Sequence, residues 1–384
     1  MNSSPYKWTA TQALELLKND TISVEEYAQS LLDRIQDRDR IVKAWAHLDL
    51  LSQARLLDKV PVEQRGPLHG LAIGIQDIMD TKDMPTQYGS PIDEGYQPDA
   101  DSHAVATLRA AGALIFASYT KIFTMKATFN AISTKIHKPC APSFDTIGFF
   151  ARSIEDLQLL ADVFDLKDDE PPKDTSLDQI SVAVIKTPFW SSQGLGTLCS
   201  MYNSIDILKR NNVKVEEVSF PPEVADPEVL IRLRDVIIQG EARVSFLPEY
   251  HLNKAKLAYE IRDIIEKRSN ITRKELRDAY DEYSKMRTII NDLGKNYDII
   301  LARSAVNDAP VGLDDMGSPI FNTLWIGFHM PVINIPAFFG AWGMPIGVSL
   351  IAPRFHDQQL LRRSKVISEI LMADVEERAR AFFP

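Results

Sequence analysis

The stretch Arg65-Gly-Pro-Leu-His-Gly-Leu-Ala-Ile-Gly-Ile-Gln-Asp-Ile-Met-Asp-Thr81, followed by Met84-Pro85 and Tyr88-Gly-Ser-Pro91, joins a glycine- and proline-marked turn to an apolar run that reaches Gln76 and Asp77. Helix signals precede it, and helix and strand signals alternate after it. Upstream, Thr9 with Gln12 and Ser23 with Glu26 have the spacing of capping boxes. Each precedes apolar residues at helical intervals, Leu14 and Leu17 and then Tyr27, Leu31 and Ile35. Downstream, Ser102 is placed to cap a helix carrying Val105, Leu108 and Ala111. Gly112 ends that helix, and Ala113 to Ala117 reads as a short buried strand.

The alternation continues to the far end of the chain. Ser153 and Asp156 open a helix through Leu157, Leu160 and Phe164, and Ile180 to Ile185 reads as a strand. A helix over Leu198 to Leu208, a strand over Val213 to Val218 and a long charged helix opened by Thr272 and Glu275 follow. Tyr297 to Ala302, Val332 to Ile335 and Ile346 to Ile351 are short apolar runs bounded by prolines and glycines. Helices interleaved with buried strands imply an α/β protein whose sheet is covered on its faces. The charged, proline-rich segment Asp165 to Asp178 reads as a surface loop, not a domain boundary.

Of the 384 residues, 45% are hydrophobic and 25% charged, a globular balance that excludes disorder over the whole chain. With 43 Lys and Arg against 53 Asp and Glu, the net charge of -10 argues against a general nucleic-acid-binding surface. Two isolated cysteines, Cys140 and Cys199, give neither a disulfide framework nor a zinc cluster and fit a reducing compartment. Met1 to Lys18 lacks a signal-peptide pattern, and no apolar run is long enough to span a bilayer. The expectation is a cytoplasmic protein with no membrane and no nucleic-acid partner.

The opening stretch resembles the first conserved block of the amidase signature family. Ala104 to Ala117 is similar to a second block, Pro142-Ser-Phe-Asp-Thr-Ile-Gly148 with Ala151-Arg-Ser-Ile-Glu-Asp156 to a third, and Phe321 through Pro331-Val-Ile-Asn-Ile-Pro336 to Gly347 to a fourth. Matches in order along nearly the whole chain carry far more weight than one motif. The resemblance implies one amidase-like domain over residues 1–384 with a mixed central sheet wrapped by helices. It also implies an ancestral carboxamide hydrolase that works through a Ser-Ser-Lys triad and an acyl-enzyme, with no metal or organic cofactor.

That chemistry needs a lysine kept neutral by burial to take the proton of a serine hydroxyl. The family carries this lysine immediately before the Asp-Ile pair of the first block, where this chain has Gln76. An amide side chain does not take up a proton near neutral pH. The glycine- and serine-rich stretch that holds both triad serines and the oxyanion-hole amides in the family has no counterpart. Phe129-Asn-Ala131 passes straight into Ile132-Ser-Thr-Lys-Ile-His-Lys138, so the expected fold misses a central block of elements, with an internal deletion near 129–133. No Gly-x-Ser-x-Gly elbow, His-x-x-x-His pair or phosphate loop replaces it.

No catalytic residue is therefore assigned. His69, Asp77 and Asp80 lie in a block that active members share and are read as structural. Lys121, Lys126, Lys135 and Lys138 sit in an acid-free stretch from Ser118 to Lys138, which reads as a solvated junction loop ahead of an anion site. Cys140, between prolines and without a basic partner, reads as a packing residue. The sequence thus predicts a degenerate amidase-family pseudoenzyme whose partners are a small amide or an active amidase paralogue. The alternatives are an active amidase whose coding segment has been skipped, which leaves Gln76 unexplained, and a chain left unstable by open strand edges. Substrate and oligomeric state stay open.

Overall fold

The computed structural model describes residues 4–45, 47–115, 123–268, 271–312, 315–340 and 343–382. The chain opens with helices α1 (Ala10–Lys18), α2 (Val24–Val42) and α3 (Leu50–Leu57), then strand β1 (Ala72–Ile73), helix α4 (His103–Ala110) and strand β2 (Leu114–Ile115). Strands β3 (Phe123–Lys126) and β4 (Gly148–Ala151) follow, and then helix α5 (Ile154–Val163). The next stretch holds β5 (Ser181–Lys186), α6 (Leu195–Arg210), β6 (Lys214–Ser219), α7 (Pro227–Ser245), α8 (Leu247–Asn253), α9 (Tyr259–Asp263) and α10 (Arg273–Gly294). Strand β7 (Ile299–Arg303), helix α11 (Ile320–Gly327), strands β8 (Val332–Phe339) and β9 (Pro345–Ile351), and helix α12 (Asp357–Phe382) complete it.

The capping signals act as read. Thr9, Ser23 and Thr272 form reciprocal capping boxes with Gln12, Glu26 and Glu275, and Ser102 and Ser153 accept from the amides of Val105 and Asp156. Distant carboxylates also cap helix starts, α1 and α2 among them. Buried Asp156 accepts from the amides of Ala10 and Thr11 at 3.0 and 2.8 Å and from the Thr11 hydroxyl, fixing α1 to α5. Asp58 does the same for Val24 and Glu25 at the start of α2.

The main sheet is mixed, with strand order β4-β3-β8-β9-β7-β5-β6. β5 runs parallel to β6 and β7, while β3, β4, β8 and β9 pair antiparallel with their neighbours. One face buries Val182, Val184, Leu301, Ile333 and Leu350 against Leu157 of α5, Met201 of α6 and Leu361 of α12. The other buries Ile185, Ile300, Ala302 and Ile351 against Leu233 of α7, Tyr283 and Met286 of α10 and Trp325 of α11. This is the α/β sheet covered by helices that the sequence predicts. β1 and β2 form a separate parallel pair packed on α1 to α4, and Leu160 and Phe164 of α5 reach both that cluster and the main core. Of the strand expected at Ala113 to Ala117, Leu114 and Ile115 are seen, and 116–117 lie outside the described residues.

The expected surface loop at Asp165 to Asp178 is pinned to the start of α12. Asp168 accepts from the amides of Gln358 and Gln359, and the Gln359 side chain bonds both ways with the backbone of Lys173. The 66–70 turn is tight for a steric reason. Leu68 N donates to Ala111 O at 2.8 Å, and a Cβ on Gly66 would run into that same carbonyl. Gly66→Ala is therefore expected to lower stability by about 1–3 kcal/mol, read as a fall in the urea midpoint at unchanged m-value.

Candidate functional site

Gln76 follows β1, and its carbonyl accepts from the amides of Ile78 and Met79 at 2.7 and 3.1 Å. Its side chain is exposed, and no described side chain hydrogen-bonds to it. The residues after it build a rigid loop. Asp77 accepts from the amides of Gln87 and Gly89, and Asp80 takes the Tyr88 hydroxyl at 2.6 Å while its carbonyl accepts from Ser102 N. His69 is buried, and burial, with Arg65 nearby, holds its imidazole below the usual range and neutral. The two carboxylates are thus occupied in holding the loop, while His69 is buried with no side-chain hydrogen bond among the described residues.

The lysines of the acid-free stretch do not converge. Lys121 lies outside the described residues, and Lys135 is exposed. Lys138 pairs with Glu249 and sits over the rings of Tyr88 and Phe246. Lys126, on β3, donates to Ala127 O at 2.9 Å, and burial pushes it down to about 7 against the pull of Asp357. Below pH 7 it is charged in both folded and unfolded states and carries its full burial cost. Between pH 7 and its unfolded value of 10.5 only the unfolded chain binds the proton, so stability rises with pH. Lys126→Met should therefore stabilise the protein most below pH 7 and least near pH 10, which urea midpoints of both proteins at pH 6 and pH 10 will show.

Residues 129–133 form a turn held from distant parts of the chain. Phe129 N donates to His329 O, its ring stacks on His329 with centroids 3.9 Å apart, and Asn130 is left-handed. His329 Nε2 donates to Ser143 O at 2.9 Å, and burial and Arg287 push the imidazole down to about 3. Ser143 donates from its amide and hydroxyl to Glu241, which also accepts from Tyr280 OH at 2.5 Å. Buried Asp357 accepts from Thr128 N and Oγ1 at 2.8 and 2.6 Å. These groups lie too far apart in sequence for any motif to join them. Cys140, expected to pack, is exposed, and its thiol is pushed up by surrounding protein atoms and by Asp145 and Glu241, which opposes a reactive thiolate. No group of three or more metal-binding side chains is found among the described residues, nor a helix long and apolar enough to cross a membrane.

Known proteins resemble the chain both locally and along its whole length. A glutamyl-tRNA(Gln) amidotransferase subunit from Salinispora arenicola is 37% identical over 112 residues, 28% of this chain and 23% of that protein. Its counterpart from Lysinibacillus sphaericus is 24% identical over 458 positions, covering 90% of this chain and 93% of the relative. That alignment is longer than the 384 residues of the chain, so the relative carries residues with no counterpart here. A fatty acid amide hydrolase superposes with a TM-score of 0.80 at 16% identity over 98% of this chain and 87% of the other. A member of a vestigial protein complex related to an s-triazine catabolic enzyme gives 0.79 at 19% identity over 94% and 98%. At such identity the likeness establishes the fold. The family model described as Amidase matches in two segments, residues 26–120 and 116–361, which meet ahead of the 129–133 predicted for the junction. With most of its length matched by that model, the chain belongs to the amidase family.

Proposed function

We propose that this chain is a non-catalytic member of its family, which binds a small amide or a protein partner without turning it over. The observation that carries the reading is Gln76 in the position of the base, exposed and with no described side chain bonded to it. Loss of the serine- and glycine-rich stretch near 129–133 removes the nucleophile with it, and a family match in two segments suits an internal junction. The partner is an active amidase paralogue, a reading that suits relatives named as one component of an amidotransferase. Two free cysteines suit a cytoplasmic location. The test is ammonia release from simple carboxamides by the purified chain, which should stay at the blank. Release that Gln76→Ala abolishes would overturn the proposal.

A second reading is favoured by one observation, the residues that the Lysinibacillus relative carries in excess of this chain. It makes the protein an active amidase whose sequence has lost a coding segment. The intact mass of the protein from its native source decides between the two: 43.2 kDa supports the shortened chain, and a heavier species with a serine- and glycine-rich insert supports the enzyme.

A further inference from the structure

We infer that a niche at the carboxyl ends of β5 and β7, anchored by Arg303 and roofed by Trp190, is a binding site for a small carboxylate. β5 and β7 are parallel neighbours, with Val182 opposite Ile299 and Val184 opposite Leu301, so Arg303, the last residue of β7, and Thr187, the first after β5, emerge at the same end of the sheet. The crevice outside the carboxyl ends of parallel strands is where open α/β sheets hold ligands.

Arg303 is only 3% exposed. Its Nη1 donates to Trp190 O at 2.5 Å, and its guanidinium lies 3.2 Å from the centre of the Trp190 ring. Nε and Nη2 have no hydrogen-bond partner, and no carboxylate pairs with the group among the described residues. A buried cation without a counter-ion costs far more than a paired one, and each unmet buried donor adds to that cost. Burial pushes this guanidinium down only to about 10, so it stays charged at neutral pH and the site does not neutralise itself.

The walls suit a small carboxylate. Trp190, Trp325, Phe321 and Ile185 are apolar, and Thr187 adds one hydroxyl to the lining. A planar guanidinium with two free donors matches the two oxygens of a carboxylate, and the aromatic walls suit a short apolar tail. As closed, the niche has no room even for a water molecule. An occupant therefore enters when Trp190 swings outward. Trp190 is half-buried on a one-turn helix, Trp190–Ser192, whose next two residues are exposed, so the swing gives up only its partial packing against the main core, its stacking on Arg303 and the bond its carbonyl accepts.

The probe is sodium acetate, titrated against sodium chloride at constant ionic strength, with tryptophan fluorescence and Tm as readouts. Two tryptophans line the niche, so binding should give a saturable fluorescence change, half-complete between about 0.1 and 50 mM as befits four heavy atoms, with a rise in Tm. Arg303→Gln should abolish both responses while far-UV circular dichroism stays native. Should that variant not fold, Thr187→Val must weaken acetate by about threefold or more, and an unchanged affinity overturns the assignment. No saturable response in the wild-type protein overturns the site, and an equal response to chloride overturns the carboxylate. Neither outcome bears on ammonia release, so this site and the absence of turnover stand or fall separately.

Discussion

Replacing Asp357 by alanine is expected to lower stability by about 2–4 kcal/mol, seen as a large fall in the urea midpoint at constant m-value. Asp357 opens α12, the helix that seals one face of the main sheet with Leu360, Leu361, Ile367 and Leu371. Its buried carboxylate takes the amide and the hydroxyl of Thr128, and the Thr128 hydroxyl in turn accepts from Phe355 N at 3.0 Å. Alanine would strand two buried donors on Thr128 and remove the tie between β3 and α12. Asparagine keeps one acceptor of the same shape and should cost less. Thr128→Val, which removes the hydroxyl but leaves the amide bonded, should fall between them. Equal stability of the alanine variant and the wild type would mean that α12 is held by its apolar face alone.

Much of this architecture is readable in the sequence because its signals are local. The caps at Thr9, Ser23, Ser102, Ser153 and Thr272 each lie within three residues of the amide they bind, and the strands β5, β7, β8 and β9 carry apolar runs interrupted only by Asn334 in β8 and Ser349 in β9. β3 and β4 escape reading because each is four residues long, and four residues scarcely define a period. α7 escapes because the helical signal at Asp226-Pro227 follows a proline pair that reads as a turn. At the site, Asp77 and Asp80 bond within the 77–89 stretch and the Asp80 carbonyl accepts from Ser102 ahead of α4, contacts that only the fold reveals. Thr128 with Asp357, His329 with Ser143, and Arg303 with Trp190 join positions more than a hundred residues apart, and composition carries no trace of such pairings.

Gln76→Lys alone should leave carboxamide hydrolysis at the blank. A base accelerates the reaction only by taking a proton from a nucleophile held within hydrogen-bond reach, and no described side chain bonds at position 76. Members of a catalytic triad act as a unit, so restoring one of three returns almost nothing. By the same logic, inserting the serine- and glycine-rich stretch of an active family member at the junction while Gln76 stays should give a protein that holds an amide without cleaving it. The two changes together should raise ammonia release by about a thousandfold or more over either alone. A double variant that folds, as shown by a cooperative thermal transition, yet stays at the blank would mean that the surrounding loops have also drifted from a productive geometry. Turnover from Gln76→Lys alone would mean that a nucleophile already stands beside position 76, and the non-catalytic reading would fall.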